Sequence, residues 1–158
     1  MKALIQRVSR GRVTVDGRET GAISGGFVVL LGVRHGDTEA DARYLAQRTC
    51  SLRVFQDGAG KMNLDLNAVG GSVLVISQFT LYADTRKGNR PSFVQAAPPE
   101  HAEALYRVYV DALRAGLGDG RVATGVFRAE MSVEIVNDGP VTVELSTDRG
   151  AGGSGDTA

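Results

Sequence analysis

The stretch "VLVISQFTLYAD" is an apolar run that ends in a hydroxyl, an amide, an aromatic ring and a second hydroxyl: Ser77, Gln78, Phe79 and Thr80. Polar groups at the end of a core strand have two uses. They satisfy the strand's own last hydrogen bonds, or they form a floor of fixed donors beneath a ligand. Composition alone favours the first. The chain then drops into "DTRKGNRP", where Arg86, Lys87 and Arg90 gather around a glycine and a proline. A solvated surface loop is the ordinary reading of such a cluster, and a local contact to phosphate is the functional one. A third stretch, "VNDGPVTVEL", sets Pro140 inside an alternating strand pattern. Proline cannot donate a ladder hydrogen bond, so Gly139-Pro140 marks a break. A turn would already be served by Asn137, Asp138 and Gly139, which leaves Pro140 surplus to it.

The familiar catalytic sets are missing. The two histidines are His35, in a loop after a strand, and His101, at the start of a helical segment where a surface position is expected. No H-E-x-x-H, G-x-S-x-G or P-loop occurs, so zinc hydrolysis, α/β-hydrolase chemistry and nucleoside triphosphate cleavage lose support. No metal site and no cofactor are expected. An enzyme built from this chain would lack an obvious side-chain base.

Bulk properties narrow the setting. Eighteen Lys and Arg residues balance eighteen Asp and Glu, so no global field draws in a polyanion and any nucleic-acid contact must be local. A single cysteine, Cys50, excludes an intramolecular disulfide and suits a reducing compartment; on the buried face of a helix it reads as core filler. The N-terminal "MKALIQRVSR" has too short an apolar run for a signal peptide and no later segment approaches the length of a membrane span, so a soluble cytoplasmic protein with no membrane partner is expected.

The elements that must position these residues follow from periodicity. "ALIQRVS", "RVTVDG" and the continuous apolar run "GGFVVLLGV" read as strands, the last covered on both faces. "DTEADARYLAQRTCSL" opens with Thr38 and Asp41 at capping-box spacing and puts Ala42, Leu45, Ala46, Thr49 and Cys50 on one helical stripe. "LRVFQD" and "GSVLVISQFTL" read as strands separated by a turn-rich stretch. A second helix begins at Pro98 and Pro99, turns Leu105, Val108, Tyr109, Ala112 and Leu113 inward, and ends at Gly116 and Gly118. Three strands follow in "RVATGVF", "MSVEIVN" and "VTVELST". The expected fold is α/β, with mixed, largely antiparallel β-sheet layers packed with two main helices. A single domain covers 1–146, and the Gly/Ser-rich stretch 147–158 is expected to be a disordered tail.

"SQFTLYADTRKGNRPSF" together with "NDGPVT" closely resembles the D-aminoacyl-tRNA deacylases, and the similarity runs from "MKALIQRV" to about residue 146. The resemblance implies a homodimer that hydrolyses the ester joining a D-amino acid, or glycine, to the 3′ acceptor end of tRNA. It implies that the Gly139-Pro140 bond is cis and reaches into the partner's active site as the gate that rejects L-amino acids. Ser77, Gln78, Phe79 and Thr80 become the pocket floor, Arg7 the residue that holds the gate, and Arg86, Lys87 and Arg90 the tRNA contacts. Two carbonyls on the gate could accept hydrogen bonds from the substrate ammonium while leaving no room for an L side chain. An aminoacyl ester is already activated, so positioning and an oxyanion site of main-chain N–H groups around Phe79 and Thr80 would suffice, with assistance from the terminal 2′-hydroxyl. A covalent role for Thr80 is the rival. A non-catalytic dimeric module that binds aminoacyl-tRNA ends, and an esterase using Ser77 or Thr80 with His35, remain the alternatives.

Overall fold

The run "GFVVLLG" forms strand β3, Gly26–Gly32, and almost every residue in it is buried. Strand geometry sends alternate side chains to opposite faces, so a run that is apolar at every position needs cover on both. Phe27, Val29 and Leu31 face an outer cluster, while Val28 faces an inner one. The computed structural model that shows this describes residues 1–148.

Before β3 come β1, Lys2–Val15, and β2, Arg18–Ile23; after it come helix α1, Glu39–Cys50, and a small hairpin of β4, Phe55–Gln56, and β5, Met62–Leu64. A short helix α2, Leu66–Val69, leads to β6, Ser72–Ser77; helix α3, Pro99–Leu117, β7, Val122–Thr124, and β8, Ser132–Ser146, complete the described chain. The main sheet has the order β2-β1-β3-β6-β7, with β8 paired to β1 outside that path. The ladders of β1 with β2, β3 and β8 are antiparallel, whereas β3-β6 and β6-β7 are parallel. The sheet curls until β2 meets β7: a Cβ on Gly21 would lie 2.6 Å from the Thr124 carbonyl oxygen, so only glycine permits that approach.

The inner cluster joins Val8, Val13, Ile23, Val28, Leu74 and Ile76 within the curl. In the outer cluster, Phe27, Val29, Val73 and Val75 of the sheet meet Leu45 of α1 with Tyr109 and Leu113 of α3. Each such large side chain contributes about 1.5–3 kcal/mol by leaving water. The helices also share a buried hydrogen bond between Thr49 Oγ1 and the Tyr109 hydroxyl at 2.8 Å, which satisfies both polar groups away from solvent.

Helix α1 begins as its sequence predicts. Thr38 caps it, accepting from Asp41 N, and the Asp41 carboxylate accepts from Thr38 N at 2.8 Å. The Thr38 hydroxyl also donates to that carboxylate at 2.7 Å, and with the Thr38 N–H it holds the Asp41 carboxyl below the usual carboxylate range. Cys50 is half-buried against the outer cluster, and burial pushes its thiol up.

Four expectations need correction. The inward face of α3 is Leu105, Tyr106, Tyr109, Val110, Leu113 and Leu117, with Val108 and Ala112 half-buried at its border. The helix is rotated so that the Tyr106 hydroxyl can donate to the Val75 carbonyl at 2.9 Å. Gly116 lies inside α3, and Gly118, at φ +96°, caps it. The strand expected through Leu81 stops at Ser77, and Phe79–Tyr82 is a 3-10 turn. "MSVEIVN" and "VTVELST" are one strand, β8, whose two halves both run antiparallel to β1. Of the expected tail, Thr147 N donates to the Met1 carbonyl at 2.9 Å and Asp148 lies 2.7 Å from Arg34; residues 149–158 lie outside the described residues.

Candidate active site

Strand β6 delivers Ser77 to the end of the sheet's parallel centre, beside Leu31 of β3. Gln78 N donates to the Leu31 carbonyl at 2.8 Å, one last ladder bond before the chain turns. Leu81 N then donates to the Gln78 carbonyl at 3.3 Å and Ala83 N to the Thr80 carbonyl at 3.0 Å, which fixes the corner. At the first positions of a helical turn the N–H groups have no acceptor within the turn. The main-chain N–H groups of Phe79 and Thr80 accordingly meet no acceptor among the described residues. The Gln78 side-chain amide donates to Thr80 Oγ1, so the threonine hydroxyl is held by its neighbour.

Two clefts flank this corner. One, of about 300 Å³, is lined by Leu31, Ile76, Ser77, Gln78, Phe79 and Tyr106 among others. The second, of about 580 Å³, is lined by His35, Phe93, Val94 and the Pro98-Pro99 start of α3. They share Phe79, Ala102, Phe127 and Arg128. Phe79 is exposed and meets Phe93 edge to face at 5.0 Å, and Tyr106 packs on Phe127 at 5.8 Å. Burial pushes the Tyr106 hydroxyl up to about 12, so it stays neutral across the physiological range. Thr80 is exposed at the rim and does not line the smaller cleft. His35 is exposed on the wall of the larger cleft and bonds neither Ser77 nor Thr80, so the esterase pairing has no support. Among the described residues, no group of three or more His, Cys, Asp or Glu side chains could hold a metal.

The Gly-Pro motif lies elsewhere in the chain. Val8 pairs with Asn137 and Gln6 with Thr142, so residues 138–141 all stand opposite Arg7 alone and bulge out of the ladder. The Gly139-Pro140 peptide bond is cis, and Gly139 has φ +128°. Both residues are exposed. Arg7 is buried beneath them: its Nε donates to the Asp138 carbonyl at 3.1 Å and its Nη1 to the Val54 carbonyl at 2.5 Å. The Asp138 carboxylate lies 3.2 Å from Arg7 Nε. A Cβ on Gly139 would fall 2.9 Å from Val141 Cγ2 and 3.2 Å from Arg7 Nη2. Neither Arg7, Gly139 nor Pro140 lines the clefts beside Ser77–Thr80, so one chain alone does not bring the two motifs together.

The basic loop is closed by paired main-chain bonds between Asp84 and Ser92, at 2.8 and 2.9 Å. Arg86 is committed to Asp84, with Nε and Nη2 donating at 2.9 and 2.6 Å, and this holds the Asp84 carboxyl well below the usual range. Lys87 and Arg90 are exposed and have no acidic partner among the described residues. Sequence reasoning missed Phe93, Phe127 and Arg128. The only available signal was the aromatic residue after "KGNRPS", since Phe127 ends the stretch "RVATGVF" that reads as strand and Arg128 falls in the link after it.

A family model described as D-Tyr-tRNA(Tyr) deacylase matches residues 4–146. A D-aminoacyl-tRNA deacylase of Heliobacterium modesticaldum is 61% identical over 144 residues, covering 90% of this chain and 94% of that protein. One from Anaeromyxobacter dehalogenans is 59% identical over 150 residues, covering 94% and 99%. Among solved structures, a c-Myc DNA unwinding element binding protein aligns with TM-score 0.88 and 40% identity over 93% of this chain and 99% of that one. A probable eukaryotic D-amino acid tRNA deacylase aligns with TM-score 0.76 over 91% and 97%, and at 16% identity it speaks for the fold alone.

Proposed function

The chain belongs to the D-Tyr-tRNA(Tyr) deacylase family, and from that premise we propose that it hydrolyses the ester of D-aminoacyl-tRNA to free D-amino acid and tRNA. The observation that carries this reading is the corner at Ser77–Thr80: two unsatisfied main-chain donors beside a cleft, with no histidine bonded to either hydroxyl. Such a site suits an activated ester. The carbonyl oxygen accepts hydrogen bonds from Phe79 N and Thr80 N, and these strengthen as charge builds on it during attack by water. Water's oxygen bonds the acyl carbon, the acyl carbon–3′-oxygen bond breaks, and the proton that the water gives up passes to the departing 3′-oxygen. Gln78 and Thr80 position, and the neighbouring 2′-hydroxyl of the terminal ribose assists.

The exposed bulge fits as the other half of the site in a homodimer. Gly139 and Pro140 of one protomer enter the partner's corner, where their carbonyls accept from the substrate ammonium and their main chain occupies the space an L side chain would need. Glycine has no side chain to exclude, so glycyl-tRNA is a substrate too. Arg7 holds the bulge in place. Lys87 and Arg90, with Arg86 freed from Asp84, meet acceptor-end phosphates. The work belongs in the cytoplasm, where charged tRNA is used.

Deacylation of D-tyrosyl-, L-tyrosyl- and glycyl-tRNA tests the reading. Release of the D and glycyl forms with the L form left intact is expected. Protection of all three would favour a non-catalytic dimeric module that binds aminoacyl-tRNA ends, and release of all three would remove the gate.

A further inference from the structure

Arg128 occupies a position that the reaction above leaves unused. It is the third residue of a turn closed by Ala129 N donating to the Val126 carbonyl at 3.2 Å, and its φ is +64°. An L side chain is disfavoured there, whereas glycine or asparagine takes such a position readily. Non-glycine residues held in that region gather at functional sites, and the surroundings of Arg128 give this one a use. Its side chain is exposed on the ridge between the two clefts, which it lines together with Phe79, Ala102 and Phe127. Arg10, Arg12, Arg43 and Arg107 are each paired with a glutamate and Arg86 with Asp84. Arg128 has no hydrogen-bond or ion-pair partner among the described residues.

Resting on the deacylase reading, the geometry points to Arg128 as the binding residue for the phosphodiester that joins the terminal nucleoside to the rest of the RNA. With the ester over Gln78–Thr80, the nucleoside must enter one of two clefts whose other walls are mostly apolar. Both open at the ridge where Arg128 stands. The first negative charge on the strand beyond the ester is that phosphodiester, and a guanidinium offers its oxygens a planar, two-pronged donor.

Binding, rather than turnover, tests this, so that its failure and the failure of the deacylase reading stay distinct. Two non-hydrolysable ligands are compared by titration: 3′-amide-linked D-tyrosyl adenosine, and the same group on cytidylyl-(3′→5′)-adenosine, which adds the phosphodiester. The wild-type chain is expected to bind the dinucleotide about tenfold more tightly, with a dependence on salt steeper by roughly 0.7 in log–log slope. In Arg128→Gly, which the turn accepts without strain, and in the uncharged Arg128→Gln, that advantage falls below about twofold, while Arg128→Lys keeps part of it. A wild-type chain that binds the two ligands equally or not at all, or an advantage that survives in both uncharged variants, overturns the assignment. Hydrolysis of D-tyrosyl-tRNA, measured separately, decides the deacylase reading.

Discussion

Residues 77–82 end strand β6 and residues 138–141 bulge out of β8, and the two departures from the ladder are held by opposite means. The corner after β6 is fixed by main-chain bonds, from Gln78 N to Leu31 and from Leu81 N and Ala83 N back into the turn, above core residues such as Ile76. The bulge in β8 is exposed and leans on one buried side chain, Arg7, which bonds both Asp138 and Val54. A rigid corner suits donors that must not move as charge develops. A bulge fixed by a single strut keeps its shape only while that strut remains, so substitutions should separate the two parts: changes at the corner act on rate, and changes at the bulge act on selectivity.

The largest effect is expected from removing a corner donor. Phe79→Pro deletes one N–H at the first position of a turn, where proline is tolerated, and should lower kcat by roughly 10²–10³-fold with an unchanged circular dichroism spectrum. Phe79→Ala keeps the donor and should lose far less. If both variants fall equally, the ring matters and the N–H does not.

The next effect concerns the bulge. Arg7→Ala leaves the Val54 and Asp138 carbonyls without their charged donor, which should cost roughly 2 kcal/mol in urea unfolding. It should also reduce the preference for D- over L-tyrosyl-tRNA by at least about tenfold, equivalent to 1.4 kcal/mol. Gly139→Ala, whose Cβ would press on Val141 and Arg7, should reduce the preference with smaller loss of stability. Unaltered selectivity in both would separate the bulge from chirality.

Three tyrosines are buried in the fold, Tyr82 in the corner, Tyr106 on the wall of the smaller cleft and Tyr109 in the outer cluster. Burial raises the hydroxyls of Tyr82, Tyr106 and Tyr109 above the ordinary value of 10.0, Tyr106 to about 12. The unfolded chain therefore loses these protons first as pH rises, so their contribution is full below pH 10 and lost above it. Each tyrosine can remove up to about 1.4 kcal/mol per pH unit in that range. In Cys50→Ala, which removes the raised thiol that would otherwise titrate near pH 9, urea midpoints should be level from pH 7 to 9 and fall at pH 11; a level midpoint at pH 11 would mean that these hydroxyls titrate freely.

The smallest effect is expected in the basic loop. Replacing Arg86, Lys87 and Arg90 with alanine should weaken tRNA binding by about tenfold or less and leave the D over L ratio unchanged, because phosphate contacts carry no information about the amino acid. A shift in that ratio would place the loop in the gate.

Much of this was legible in the chain itself. The capping box at Thr38 and Asp41, the doubly covered run of β3 and the break at Gly139-Pro140 are local signals, and local chemistry fixes all three. The 3-10 turn was not, because "FTLY" continues the alternation of the strand before it and only the end of the ladder at Leu31 stops it. The face of α3 was missed by a small rotation that a single tertiary hydrogen bond, Tyr106 to Val75, decides. The unity of β8 was hidden for the same reason: a bulge and a turn share their residue types, and only pairing with one β1 strand on both sides tells them apart.

The central claim is that the bulge of one protomer completes the corner of another. Phe79→Cys and Pro140→Cys, each made in a Cys50→Ala background and co-expressed as separate chains, can be joined by a short thiol cross-linker. A covalent dimer containing one chain of each kind is the predicted product, formed more readily than from either chain alone. Cross-linking only between like chains, or none at all while both thiols react with a small maleimide, would contradict the account.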